Sequence, residues 1–121
     1  MEGRDGIFRQ AAEFPSYAVE TRRLRSFKDW PKALKQKPEQ MADAGFFYTK
    51  MSDRVICFSC GGALKEWEDN DDPWEQHALY YGDKCNYLRL IKGIDYHDEV
   101  IGKLAAMRIA DEKKEEEEEA K

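Results

Sequence analysis

The sequence predicts a small α+β domain, in which short helices surround a three-stranded antiparallel sheet and a cysteine–histidine cluster binds a metal. Three observations support this prediction. The chain has only 121 residues, three short β-like runs lie close together near its centre, and helix-start and helix-stop residues flank them. Charged residues make up 37% and hydrophobic residues 41% of the chain, which leaves a small apolar core.

Charge and hydropathy exclude several classes of protein. No apolar run approaches the roughly 20 residues of a membrane helix, and no signal peptide is visible at the N-terminus. The net charge is −5, with +4 in residues 1–65 and −9 in residues 66–121, a balance that disfavours nucleic-acid binding. We therefore expect a cytoplasmic protein that binds neither membranes nor nucleic acids.

The N-terminal part of the chain predicts a flexible tail followed by two helices. Residues 1–15 show no clear periodicity and are interpreted as the tail. Apolar residues then recur at helical spacing over 17–27, with Ser16 as the N-cap. A second short helix is predicted over 38–44, because proline suits its first turn and Gly45 suits its C-cap.

The sheet is predicted from three short strand-like runs, of which the first two are rich in β-branched and aromatic residues. These runs cover 46–49, 54–57 and 63–67. Met51-Ser-Asp53 forms the turn between the first two, and Gly61-Gly62 forms the turn before the third. Their closeness in sequence favours antiparallel pairing.

Two signals start the helix that follows the sheet. Asp72 can cap the helix while Glu75 reaches back to the N-cap backbone, and Pro73 suits the first helical position. A further helix is predicted over 85–92 and ends at Gly93.

The C-terminal part predicts a longer helix over 95–112 with a narrow apolar stripe. A run of five glutamates then indicates a disordered acidic tail over 113–121. The chain is thus divided into the N-terminal tail, a central domain over 16–94 that contains the cysteine–histidine cluster, the C-terminal helix and the acidic tail.

The four residues with metal-ligand spacing are Cys57, Cys60, His77 and Cys85. Three cysteines are a poor disulfide framework, whereas three thiolates and one imidazole complete a tetrahedral zinc shell. Because no position remains for water, we expect one structural Zn²⁺. A core this small supplies about 3–5 kcal/mol, so removal of the metal should unfold the chain.

A redox C-x-x-C is the alternative, but no βαβ pattern surrounds it. His97 has no cysteine neighbours and is interpreted as solvent-facing.

Two charged clusters have open interpretations. Six carboxylates and no basic residue lie between Glu66 and Gln76, flanked by Trp67 and Trp74. This cluster suits a cationic ligand such as a peptide amino terminus, although composition alone favours a solvated loop.

The other cluster consists of seven basic residues: Arg22, Arg23, Arg25, Lys28, Lys32, Lys35 and Lys37. The simplest interpretation is a solvated helix face, with arginine stems packed on the core. The alternatives are a protein or nucleic-acid contact, or one arginine that offsets the charge of the zinc thiolates.

Four segments follow one another along the chain: residues 23–31 (RLRSFKDWP), 44–48 (AGFFY), 53–62 (DRVICFSCGG) and 67–77 (WEDNDDPWEQH), followed by Cys85. Together they resemble the BIR domain of inhibitor-of-apoptosis proteins. The match covers roughly residues 17–94. It is most similar to the second BIR domain of insect inhibitors of apoptosis or to a baculoviral relative.

The resemblance implies the BIR fold and a groove between the third strand and the next helix. Such grooves bind the free N-terminus of a partner that begins with alanine. By position, Leu64 and Trp67 would line the pocket for the alanine methyl group, while Asp71 and Gln76 would hold the ammonium group.

The resemblance also assigns the rest of the groove. The backbone of Ala63 and Lys65 would pair with the peptide as an added strand, and Tyr80 would cover its third and fourth residues. Two positions depart from the family pattern: Tyr80 stands where tryptophan is frequent, and Ala63 stands where glycine is usual. Both affect affinity and the preferred third residue.

The function implied is binding without catalysis. The domain would capture the alanine-led N-termini of pro-apoptotic antagonists, processed caspases or both, and so restrain cell death. Any ubiquitin-ligase RING would lie outside this chain. The alternative is a survivin-type mitotic BIR protein, which acts as an assembly scaffold through its C-terminal helix. A DNA-binding zinc finger is disfavoured, because the region around the second ligand pair is acidic.

Overall fold

The computed structural model describes residues 12–119, which form five helices, two short 3₁₀ turns and three strands. The 3₁₀ turns are Pro15–Tyr17 and Phe27–Asp29. The helices are α1 (Glu20–Ser26), α2 (Pro38–Asp43), α3 (Pro73–Tyr81), α4 (Asn86–Lys92) and α5 (Tyr96–Glu119). The strands are β1 (Phe46–Tyr48), β2 (Val55–Cys57) and β3 (Ala63–Leu64). No helix in this described part is long and apolar enough to cross a bilayer.

The sheet has the predicted antiparallel topology, with the strands in the order β1-β2-β3. Strand β3 is shorter than predicted, because the chain leaves extended geometry after Leu64. Glu66 adopts a positive φ of 59°, and the Asp53 carboxylate accepts the backbone N–H groups of Glu66 and Trp67 at 2.9 and 2.8 Å. This clamp turns the chain out of the sheet and allows Leu64 and Trp67, at odd spacing, to line the same groove.

The first predicted helix is divided into two pieces. Ser16 lies inside the first 3₁₀ turn, so its assignment as an N-cap is wrong. Val19 occupies the N-cap of α1 and provides no side-chain hydrogen bond. Just before this region, the N–H groups of Glu13 and Phe14 donate to the carbonyls of Ser59 and Phe58 at 3.2 and 2.9 Å. The rest of the predicted tail, residues 1–11, lies outside the described part of the chain.

The later helices follow the predicted pattern with two differences. Asp72 caps α3 by accepting from the Glu75 N–H at 3.0 Å, but the Glu75 carboxylate accepts from Lys103 of α5 and not from the N-cap backbone. Helix α5 extends to Glu119, seven residues beyond the predicted end at 112, and consists there of good helix formers. The predicted disordered tail therefore overlaps α5, and its last two residues lie outside the described part.

Among the described residues, Arg23 is a cation buried in the core. Arg23, only 2% exposed, donates from Nε to the Ala42 carbonyl at 2.8 Å and from Nη1 to the Tyr17 carbonyl at 2.9 Å. Its guanidinium lies 4.7 Å from the centroid of the Phe58 ring, and Phe58 directly follows Cys57. The interpretation of the whole basic cluster as a solvated face is therefore wrong for Arg23, which joins α1 to α2.

Candidate zinc centre and peptide groove

The four predicted zinc ligands come together from different parts of the fold. Cys57 ends β2, Cys60 lies in the turn before β3, His77 lies in the middle of α3, and Cys85 is the N-cap of α4. Their ligand atoms all lie within 4.8 Å of one another. Three of the four residues are fully buried, and Cys60 is partly exposed.

The distances between these atoms fit a tetrahedral zinc ion. With Zn–S and Zn–N bonds of about 2.3 and 2.0 Å, two sulfurs lie about 3.8 Å apart, and a sulfur and a nitrogen about 3.5 Å apart. The Sγ atoms of Cys57 and Cys85 are 3.8 Å apart, and Cys60 Sγ is 3.7 Å from His77 Nε2. The donor set and its spacing therefore suit one Zn²⁺.

A second layer of hydrogen bonds orients the ligands. His77 Nδ1 lies 2.8 Å from the Ala44 carbonyl, a contact that requires the proton on Nδ1 and leaves Nε2 free for the metal. The N–H groups of Ser59 and Gly62 point at the sulfurs of Cys57 and Cys60, each at 3.4 Å. These donors stabilise thiolate charge on the two sulfurs.

The thiol pKa values show why this cluster needs a cation. Burial raises the pKa of Cys57 well above its usual value. Hydrogen bonding to Cys57 lowers the pKa of Cys85 far below its usual value. For Cys60, the hydrogen bond with Cys57 acts downward, but contact with Cys85 and burial outweigh it and raise the pKa to about 11. The three thiols cannot all ionise together unless a cation neutralises them.

An aromatic wall that the sequence reading did not assign to the centre surrounds His77. The Phe46 ring lies 4.7 Å from the imidazole, and Trp74 stacks on it at 6.1 Å with an interplanar angle of 14°. Trp74 also donates from Nε1 to Asp43 at 2.8 Å. Hence Trp74 is a half-buried cover over a zinc ligand, and it does not line the groove.

A groove of about 560 Å³ lies between β3 and α3. All seven residues predicted for the peptide site line it: Ala63, Leu64, Lys65, Trp67, Asp71, Gln76 and Tyr80. Their individual roles toward a ligand stay predictions. The sequence reading missed other lining residues, among them Tyr81, Leu79 and, from α5, Leu104.

Hydrogen bonds hold the loop that carries Asp71. Asp71 Oδ2 accepts from the Glu68 N–H at 2.9 Å, and buried Gln36 donates from Nε2 to the carbonyls of Glu68 and Asp71 at 2.7 and 2.8 Å. Gln36 is a positioning residue that no sequence signal identified. Its two hydrogen bonds fix the position of the loop that carries Asp71.

The groove contains polar groups with spare hydrogen-bonding capacity. The Ala63 carbonyl accepts from the Tyr81 hydroxyl at 3.0 Å, and a carbonyl can accept a second bond. Trp67 is 8% exposed, and its indole N–H has no hydrogen-bond partner among the described residues.

The acidic cluster proves to be only partly a solvated loop. Asp72 is used as a cap. Glu75 pairs with Lys103 and raises the pKa of that lysine. Glu66, Glu68 and Asp71 line the groove, which gives this part of it an acidic wall.

The fold and the four-ligand site together define a small structural zinc domain, whose closed shell leaves no open position for catalysis. A family model described as "BIR: Inhibitor of Apoptosis domain" matches residues 23–89. The chain therefore belongs to the BIR family of inhibitor-of-apoptosis domains. Domains of this family bind zinc and are binding modules, not catalytic domains.

Viral inhibitors of apoptosis are among the similar proteins. The chain is 50% identical over 103 residues to "E3 ubiquitin-protein ligase IAP-3" of Orgyia pseudotsugata multicapsid polyhedrosis virus, covering 85% of this chain and 38% of that protein. It is 55% identical over 87 residues to "Apoptosis inhibitor IAP" of Cydia pomonella granulosis virus, covering 72% of this chain and 31% of that protein. The chain thus spans about a third of these relatives' length.

One similar solved structure is that of DIAP1 BIR1 bound to a Grim peptide. It has a TM-score of 0.54 and 36% sequence identity, and the match covers 58% of this chain and 70% of that one. A structure of the autoinhibited dIAP1-BIR1 domain matches with the same TM-score and identity.

Proposed function

We propose that this groove captures the alanine-led free N-termini of pro-apoptotic antagonist proteins, processed caspases or both. The observation that carries the proposal is the convergence of the seven predicted groove residues on one concave surface beside β3. The similar DIAP1 BIR1 domain was solved with a Grim peptide, and this supports a peptide ligand of the antagonist class.

Capture would proceed by strand addition. β3 is an edge strand, and it pairs with β2 through the Val55–Leu64 and Ile56–Ala63 positions. An extended peptide can add to the free edge, where backbone hydrogen bonds supply affinity and side-chain pockets supply selectivity. In this arrangement Leu64 and Trp67 take the alanine methyl group, and Tyr80, which is exposed, covers the later residues.

The ammonium group of the ligand supplies the second element of recognition. Asp71 is half-buried, and one of its oxygens is already engaged by the Glu68 N–H. Its other oxygen and the Gln76 amide can accept the free amino terminus. Acetylation of the peptide removes this charge and leaves the carboxylate desolvated and unpaired, which costs more than the loss of one methyl group.

A titration by calorimetry or fluorescence anisotropy tests this proposal. A peptide that begins Ala-Val-Pro, and its acetylated copy, are titrated into the zinc-loaded chain, into Asp71→Ala and into Asp69→Ala. Asp69 is exposed and does not line the groove. Asp69→Ala is therefore the matched control, because it removes the same charge outside the groove. We expect binding that acetylation abolishes, that Asp71→Ala weakens at least about tenfold, and that Asp69→Ala changes little. The proposal would be refuted if the folded, zinc-loaded chain does not bind the peptide.

The second candidate function is scaffolding of the survivin type through α5. Val100 of this helix is buried, but Ile101 and Met107 are 40% and 56% exposed, which leaves apolar surface for a partner helix. Multi-angle light scattering on the chain and on an I101E/M107E double variant tests it. Self-assembly that the double variant abolishes would favour scaffolding by this helix, and a monomer in both would exclude self-assembly through Ile101 and Met107.

Ubiquitin-ligase activity, which the name of one viral relative states, would belong to a RING outside this chain. Such a protein would use the domain described here to select targets. We expect it to act in the cytoplasm, where apoptotic antagonists and processed caspases would meet it.

A further inference from the structure

A second cavity, of about 720 Å³, lies at the other edge of the sheet. Helix α1 and the 3₁₀ turn Pro15–Tyr17 form one wall, and β1, β2 and the turn between them form the rest. Four cationic side chains line it: Arg22, Arg25, Lys50 and Arg54. None of the described lining residues is acidic, whereas the peptide groove at β3 has three carboxylates. The two concave surfaces of the domain therefore have opposite charge.

The cations of this cavity form no ion pair with any side chain that the structure describes. The ion pairs found among the described side chains are Lys103–Glu75 and His97–Asp98, and neither pair lies here. Arg22, Arg25 and Arg54 donate no side-chain hydrogen bond to any residue that the structure describes. Four like charges around one concavity repel one another, and an anionic ligand would relieve that repulsion.

The cavity is held in shape before any ligand arrives. Tyr48 N–H donates to Ser26 Oγ at 2.8 Å, which ties β1 to the end of α1. In the hairpin turn, the Arg54 N–H donates to the Met51 carbonyl at 3.0 Å, and the Thr49 hydroxyl donates to the Arg54 carbonyl at 2.8 Å. The arginines of α1 and the cations of the hairpin turn therefore line one cavity. Hydrogen bonds fix α1 and the hairpin relative to each other.

The cavity also has an aromatic lining. Tyr17 stacks on Phe47 with ring centroids 4.0 Å apart and an interplanar angle of 6°. Lys50 Nζ lies 5.7 Å from the Tyr48 ring centroid. A ligand with carboxylates on short aliphatic stems matches both features, because the stems can pack on the rings while the arginines bind the carboxylates in bidentate fashion.

We propose that this basic cavity is a second binding site, for an acidic, glutamate-rich segment of a partner polypeptide. A polypeptide suits it better than a nucleic acid, because residues 66–121 carry a charge of −9 that opposes the dense phosphate charge of a long polyanion. A short acidic segment needs only the local positive field. The site does not depend on the peptide groove, and the domain can hold one partner at each edge of its sheet.

Fluorescence anisotropy with a labelled oligoglutamate peptide tests this site on the full zinc-loaded chain at physiological salt. The informative variant is R22E/R25E, and the matched control is K32E/K35E, which makes the same charge change at exposed residues outside the cavity. We expect saturable binding that R22E/R25E weakens by about tenfold or more and K32E/K35E by less than about threefold. Oligoglutamine of equal length should not bind.

Further measurements decide between occupants. Circular dichroism and retained binding of the Ala-Val-Pro peptide establish that R22E/R25E is folded, and R22Q/R25Q replaces it if it is not. Absence of binding, or equal loss in both variants, overturns the proposal. So does competition by the Ala-Val-Pro peptide, which would place the acidic peptide in the groove. Tighter, R22E/R25E-sensitive binding of a single-stranded oligonucleotide would assign the cavity to nucleic acid instead. Self-association that R22E/R25E abolishes would assign it to a second copy of this chain.

Discussion

Gly62 is the position where one added methyl group should disturb both the fold and the groove. It lies between the zinc turn and β3, and a Cβ atom built there comes within 2.6 Å of three ring atoms of Tyr81, including Cγ. Because Cγ is the ring atom bonded to Cβ, rotation of the ring about the Cβ–Cγ bond does not move it away from the added methyl group. Gly62→Ala therefore forces Tyr81 or the turn to move.

The magnitude follows from what must break. Overpacking in a filled site costs about 1–3 kcal/mol. Displacement of the ring also removes the 3.0 Å hydrogen bond from the Tyr81 hydroxyl to the Ala63 carbonyl, worth about 1 kcal/mol. We expect Gly62→Ala to lower the free energy of unfolding by about 2–4 kcal/mol, and to weaken the binding of an alanine-led peptide, because Tyr81 and Ala63 line the groove.

Urea unfolding of the zinc-loaded chain, followed by tryptophan fluorescence, measures this change. Gly102→Ala is the control, since nothing lies within 4 Å of its Cβ position on α5, and alanine there should add about 0.5–1 kcal/mol of helix propensity. Gly93→Ala also meets open space but has a φ of 99°, so it isolates backbone strain from packing. If Gly62→Ala proves no less stable than Gly102→Ala, the packing argument is refuted.

Three other perturbations test separate parts of the structure. Removal of zinc by a strong chelator under reducing conditions should unfold the chain, and circular dichroism should show recovery when zinc returns; a cooperative melt without metal would contradict a structural role. Gln36→Ala removes two hydrogen bonds to the Glu68–Asp71 loop and should cost about 1–3 kcal/mol in thermal or urea unfolding, with Lys35→Ala, at an exposed neighbour, close to neutral. Asp53→Asn should cost about 1–2 kcal/mol, because an amide accepts only one of the two N–H groups that now reach the carboxylate, and a stability equal to that of the parent chain would argue against the clamp on β3.

The zinc cluster could be predicted from the sequence because its ligand types and their spacing are specific. C-x-x-C, a histidine on a capped helix and one further cysteine leave few alternatives, and the four residues do come together. The groove residues followed from resemblance in a continuous segment, and they line one cavity. In both cases motif and spacing identify the residues, and the fold then brings their side chains together from separate elements.

Contacts between distant segments were beyond sequence reasoning. The end of β3 depends on Asp53, which lies 13 residues before Glu66. Arg23 is buried because three carbonyl groups happen to converge on it, which no periodicity encodes. His97, interpreted as solvent-facing, instead packs beside Gly82. A Cβ atom built on this glycine would lie 2.7 Å from His97 Cδ2. The basic cavity likewise draws its cations from α1 and from the hairpin turn.

Leu104 of α5 lines the groove. This contact couples the docking of α5 on the domain to the binding of a ligand in the groove. The same helix is fastened to α3 by the Lys103–Glu75 pair and by Val100, which is buried. A ligand that touches Leu104 would favour the docked helix, and by reciprocity any factor that docks the helix would tighten the ligand. Amide hydrogen exchange along the first turns of α5 should then slow when the groove is filled. The C-terminal helix would report occupancy from a distance, and a partner that holds it could tune the affinity of the groove without entering it.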